Sequence, residues 1–142
     1  MTSNTRSQLT HSHSLVVAAL LVVAVTSPAS AQKWKDIGKT ASGNMVSVDP
    51  KSVKRAGNLV SATVRVVFTP PVKAARGMWA SSKTIATFDC TRKYLAAKEN
   101  VFYSDAASTK VVERNVNKLP GFGPALGGSL GGIAVDYLCK TP

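Results

Sequence analysis

The sequence predicts an α+β fold: an antiparallel β-sheet with a C-terminal helix disulfide-linked to it. Three observations carry this. Leu59 to Thr69 alternates strictly, with Val60, Ala62, Val64, Val66 and Phe68 on one face and Ser61, Thr63, Arg65, Val67 and Thr69 on the other, the period of two of a strand with one buried face. Several shorter β-branched or apolar segments are set apart by Gly, Pro, Asn and Asp turn signals, which favour antiparallel neighbours. A helical period appears once, near the end, where Leu130, Ile133, Ala134, Tyr137 and Leu138 stand at i, i+3, i+4, i+7 and i+8.

Residues 1–31 read as a signal peptide. Residues 1–14 are polar with one cation, Arg6, and no acid; Leu15 to Val25 is an unbroken apolar run; Pro28-Ala29-Ser30-Ala31 supplies an A-x-A end. The run is shorter than the roughly 20 residues that span a bilayer, so cleavage after Ala31 is expected, leaving 32–142 as a single exported domain in the periplasm, at the cell surface or secreted. No second long apolar run and no lipobox cysteine follow. No transmembrane segment is therefore expected after cleavage.

Lys33 to Ile37 then predicts a first strand, Gly38 to Asn44 a turn, and Met45 to Val48 a second strand stopped by Asp49-Pro50. Lys51 to Asn58 is polar and basic and closes on the turn pair Gly57-Asn58. After the long strand, Pro70-Pro71 predicts its end, and Val72 to Ser82 an exposed excursion with Trp79 folding back. Lys83 to Asp89 predicts another strand, continued by Cys90. Tyr94–Ala97 and Val101–Ser104 read as two strands, or as one with a bend at Lys98-Glu99-Asn100. Lys110 to Asn115 closes the set. Leu119 to Gly132, with two prolines and six glycines, is expected to be irregular, and Ser129 is placed to cap the helix that follows.

Cys90 and Cys139 are the two cysteines, enough for one bridge in an oxidising compartment. That bridge would pin the helix onto the sheet face carrying Phe88. The alternative, a pair of free thiols in a redox or metal role, has neither His nor CxxC spacing to support it.

Composition weighs against catalysis. Both histidines, His11 and His13, precede the cleavage site, so the mature chain lacks the commonest general base and metal ligand. No catalytic residue, metal or cofactor is predicted. Gly127-Gly128-Ser129-Leu130-Gly131 matches the G-x-S-x-G elbow, but without His or α/β alternation Ser129 reads as a helix cap. The glycine run lacks a G-K-[ST] ending and reads as linker or close packing. Asp36, Asp49 and Asp89 stand at predicted strand ends and read as turn caps.

The chain carries 18 Lys+Arg against seven Asp+Glu, a formal net charge of +11. Such a balance solubilises or attracts polyanions; export makes nucleic acid the least suited of these. Three clusters would form a binding patch if they converge: Lys51, Lys54 and Arg55; Lys73 and Arg76; Arg92 and Lys93.

With these residues in view, the mature chain resembles the surface-adhesin protein E family. The resemblance runs through Trp34-Lys-Asp-Ile-Gly38, Val46-Ser-Val-Asp49 with Ser52-Val53, Val64 to Phe68, Phe88-Asp89-Cys90 with Tyr94, Tyr103-Ser104, Leu119-Pro120-Gly121 and a helix ending at Cys139. It implies an antiparallel sheet with a disulfide-bonded helix, a tendency to form homodimers, and adhesion to acidic extracellular-matrix or serum macromolecules such as laminin, vitronectin and plasminogen. Two departures stand out: the glycine-rich insertion Phe122 to Gly128, and the missing lipidation cysteine. The expected function is an exported non-catalytic binding domain presenting a basic surface. The alternative is a periplasmic envelope protein that binds another bacterial protein or a small ligand, which an apolar cleft under the helix would favour.

Overall fold

A computed structural model describes residues 32–140; the expected signal peptide lies outside the described residues. The elements are β1 (Lys35–Lys39), β2 (Met45–Val48), a 3-10 turn (Pro50–Ser52), β3 (Lys54–Ala56), β4 (Leu59–Ala74), β5 (Gly77–Asp89), β6 (Tyr94–Tyr103), β7 (Val111–Val116), β8 (Gly123–Pro124) and the helix α1 (Leu130–Leu138). Every strand pairing is antiparallel, in the order β1-β2-β4-β5-β6-β7. Two short strands complete the edges: β3 runs beside the start of β4, and β8 beside the start of β6.

The alternation in β4 is realised as expected. Val60, Ala62, Val64 and Val66 are buried, while Ser61, Thr63, Arg65 and Val67 are half-buried on the other face. Val48, Ala86 and Phe88 join the buried row, and Ala134, Val135 and Leu138 of α1 seal it. Nine residues make a helix too short to persist alone in water. Three things hold it: burial on the sheet, the Ser129 cap, whose side chain accepts from the Gly132 N–H, and the Cys90–Cys139 disulfide. Its buried stripe is Gly131, Gly132, Ala134, Val135 and Leu138. It shares Ala134 and Leu138 with the apolar set read from the sequence, while Leu130, Ile133 and Tyr137 of that set are half-buried and Gly131, Gly132 and Val135 are buried.

Several boundaries differ from expectation. The first strand begins at Lys35, with Trp34 outside it. The polar segment after Pro50 contains β3, whose three exposed residues pair with Leu59 to Ser61 across the Gly57-Asn58 turn. β4 does not stop at Pro70-Pro71. Pairing with β5 lapses between Val67 and Val72, so the prolines fall where no ladder N–H is required; it resumes at Val72 with Trp79 and ends at Ala74 with Gly77. The expected excursion Val72–Ser82 is therefore the tip of a long β4–β5 hairpin, and Trp79 folds back by stacking on Phe102, with centroids 4.0 Å apart. Tyr94 to Tyr103 is one strand: Ile85 faces Glu99 and Ala86 faces Ala97, leaving Lys98 as a bulge. Within the irregular segment, Gly123 and Pro124 pair with Leu95 and Tyr94.

Candidate functional site

The three predicted basic clusters are divided between the two ends of the sheet. Lys51, Lys54 and Arg55 lie in the 3-10 turn and β3, beside the start of β4. Arg92 and Lys93 lie in the β5–β6 turn at the same end, where Cys90 N–H donates to the Asn58 carbonyl. Lys73 and Arg76 stand at the hairpin tip, at the far end of a 16-residue strand, about 40 Å along it at the usual rise.

The clusters also differ in how their charge is used. Arg92 Nε donates to Asp89 Oδ2 at 2.7 Å, and its guanidinium stands 5.4 Å from the Tyr94 ring centre and 5.3 Å from that of Phe122. Lys93 pairs with Asp136 at 3.8 Å. Lys51, Lys54 and Arg55 are exposed, and among the described residues none of their side chains meets a carboxylate.

A second set of cations went unrecognised in the sequence because its members are far apart along the chain. Cross-strand pairing aligns Asp36, Ser47, Arg65, Lys83, Val101 and Arg114 in one row across five neighbouring junctions of the sheet. Directly opposed like charges oppose pairing, and Arg65 faces Lys83. Aromatic rings offset this: the Trp34 ring centre lies 4.7 Å from the Arg65 guanidinium and 5.5 Å from Lys83 Nζ, and Tyr103 lies 5.2 Å from the same ammonium. Burial draws both cations below their ordinary pKa values, and for Lys83 the Arg65 charge adds to it. Arg65 Nε is buried without a hydrogen-bond partner among the described residues. Arg114 is neutralised by Glu99 at 2.7 Å. The signal in the sequence was the outward phase of Arg65 in β4, read together with the register of β5.

Beneath the C-terminal half of α1 an apolar cleft of about 200 Å³ opens between the helix, β2 and β3. Val48 and Leu138, both 1% exposed, form its floor; Val53 and Tyr137 form its walls; Lys35 and Arg55 flank it. Lys35 Nζ stands 5.3 Å from the Tyr137 ring centre.

Ser129 is fully engaged as a cap. Its hydroxyl donates to the Leu126 carbonyl at 2.6 Å and accepts from the Gly132 N–H at 3.1 Å. The glycine run before it packs closely: Ala41 N–H donates to the Gly128 carbonyl, and Ala125 N–H to that of Lys93. Asp49 and Asp89 cap turns as expected, accepting from the backbone of Lys51 and of Thr91 and Arg92. Asp36 instead accepts from the Ser47 hydroxyl across the β1–β2 pair. Among the described residues no three His, Cys, Asp or Glu side chains gather as a metal site, and no helix is long and apolar enough to cross a membrane.

A helix disulfide-bonded to the face of an antiparallel sheet is the arrangement that the resemblance implied, and the family model for surface-adhesin protein E matches residues 34–140. The chain belongs to the surface-adhesin protein E family. The match takes in every strand and the helix, together with both cysteines. Solved structures of Haemophilus influenzae protein E share the fold. Crystal form II aligns with a TM-score of 0.52 at 13% identity, covering 72% of this chain and 85% of that one. The selenomethionine form gives 0.52 at 13%, covering 76% and 86%. Protein E from a non-typeable strain gives 0.50 at 13%, covering 81% and 79%. No curated protein matches the chain. As a member of an adhesin family, this chain is an adhesin-like binding protein.

Proposed function

We propose that this protein is an exported, non-catalytic domain that presents a basic surface to acidic macromolecules of the extracellular matrix or serum. The observation that carries the reading is the state of Lys51, Lys54 and Arg55: three exposed cations on one turn and its adjoining strand, without a carboxylate partner among the described residues. Neighbouring Arg92 is paired with Asp89, and Lys93 stands 3.8 Å from the Asp136 carboxylate. Unpaired surface charge of one sign supports steering of a polyanion, and such contacts weaken with salt because exposed charges are screened within about 10 Å at 0.1 M. Family membership supports binding over catalysis.

The test is binding of residues 32–142, which contain the whole described fold, to immobilised laminin, vitronectin and heparin across a salt series. Saturable binding that fades with salt, and is lost in the triple variant Lys51→Gln, Lys54→Gln, Arg55→Gln, is the expected result. Equal loss in Lys73→Gln, Arg76→Gln would place the contact at the hairpin tip instead. No binding at low salt by folded protein would overturn the reading. The apolar cleft favours a second reading, an envelope protein with a small ligand.

A further inference from the structure

We propose that the cleft between α1, β2 and β3 is a binding site for a small amphipathic carboxylate, with its apolar body on Val48, Val53 and Leu138 and its carboxylate between Lys35 and Arg55. The inference goes beyond macromolecular adhesion: it concerns a concave site, and although Arg55 is common to both readings, Lys35 belongs to none of the predicted basic clusters.

Size sets the ligand class. A cavity of about 150 Å³ lined by aliphatic side chains takes up benzene, and drug-sized ligands occupy about 300–1,000 Å³. At about 200 Å³, this cleft suits one ring or a short acyl chain and is too small for a folded partner's side-chain cluster. Its base is apolar, since Val48 and Leu138 line it.

Charge sets the polar end. Lys35 and Arg55 come from different strands and flank the same opening. Among the described residues neither forms an ion pair. Lys35 is held over the Tyr137 ring at the rim. Two unneutralised cations beside an apolar floor complement a single carboxylate, which Arg55 can engage through two parallel N–H donors. A neutral ligand of the same shape would leave both cations unused.

The experiment is a ¹H–¹⁵N titration of residues 32–142 with 3-phenylpropanoate, run in parallel with 3-phenylpropanol. Saturable shifts of the Val48, Val53 and Tyr137 amides by the acid, with a Kd of about 1 mM or tighter, and at least about tenfold weaker binding of the alcohol are expected. In Lys35→Gln, Arg55→Gln the acid's affinity should fall about tenfold or more, as loss of a charge-assisted contact implies, while the alcohol's stays unchanged. Both positions are exposed, so the double variant keeps the fold, and its spectrum verifies that. Val53→Trp, which fills the cleft, should abolish binding of both compounds. Absence of saturable shifts in the folded parent, shifts mapping away from the cleft, or equal affinity for acid and alcohol would each overturn the proposal.

Discussion

Arg92 Nε and Asp89 Oδ2 lie 2.7 Å apart across the β5–β6 turn, and the carboxylate they share is one of the most heavily hydrogen-bonded groups in the molecule. Asp89 is 3% exposed. It accepts from the backbone N–H groups of Thr91 and Arg92, from Arg92 Nε, and from the side-chain amide of Asn58. The turn it organises carries Cys90, so this one carboxylate sets the position from which the disulfide reaches the helix.

A pH dependence follows from that geometry. The Arg92 backbone N–H, then the Arg92 side chain, hold the Asp89 carboxyl below the ordinary carboxylate range, against an opposing push from burial. A carboxyl depressed in the folded state contributes stability above its unfolded pKa, near 3.9, and that contribution is lost as pH falls through the folded value. Thermal melts of the parent and of Asp89→Asn should therefore differ most at neutral pH, with the parent more stable. The gap should close as pH drops from about 5 toward 2. A gap that stays constant over this range would show that Asp89 acts through shape and not charge.

Reduction of the disulfide tests the attachment of α1. Cys90 and Cys139 are separated by 49 positions, for which the chain-entropy relation gives about 4 kcal/mol. For a domain of this size, Cys90→Ser, Cys139→Ser should lower Tm by about 15 °C. The loss should be read first at α1, as rapid amide exchange from Ala134 to Leu138, with slower exchange persisting in β4 and β5. Uniform loss of protection across the sheet would mean that helix and sheet unfold as one unit.

Much of the fold was legible wherever one element supplied its own pattern. The β4 alternation, the Ser129 cap and the helical period each sit within one segment, and Asp49-Pro50 stopped β2 as read. The misreadings arose where a neighbour decided the outcome. Pro70-Pro71 end a strand only if the ladder needs their N–H groups, and pairing with β5 lapses just there. β3 has three exposed residues and no apolar pattern; β4 alone makes it a strand. The candidate sites were the least legible. The Arg65–Lys83 row requires the register of two strands, and the cleft draws Lys35, Val48, Arg55 and Leu138 from four elements. Linear clustering instead selected Arg92, which the fold pairs with Asp89, and Lys93, which stands beside Asp136.

Capping of α1 by Ser129 is a separable contribution. The hydroxyl serves the Gly132 N–H and the Leu126 carbonyl together. Ser129→Ala should destabilise by about 1 kcal/mol, the usual value for a lost cap. In urea the midpoint should fall with the slope unchanged, because the unfolded surface is the same. Ser129→Asp restores an acceptor at the helix N-terminus and should recover most of the loss.

The glycines at the start of α1 should be far less replaceable than Gly121 in the segment before it. A Cβ on Gly132 would run into the Leu126 carbonyl oxygen, and one on Gly131 into the Leu95 side chain, whereas one on Gly121 meets nothing within 4 Å. Helix propensity alone would make Gly132→Ala stabilising by nearly 1 kcal/mol. The obstacle at Gly132 is backbone that also carries the Ser129 hydroxyl's hydrogen bond, so it cannot yield as a flexible side chain would. Overpacking of this kind costs about 1–3 kcal/mol, which outweighs the propensity gain. Gly132→Ala should therefore destabilise, Gly131→Ala should destabilise less because Leu95 can change rotamer, and Gly121→Ala should stay within about 0.5 kcal/mol of the parent. A stabilised Gly132→Ala would mean that the 126–132 turn shifts freely and that the contact between Gly132 and the Leu126 carbonyl is not what fixes the start of the helix.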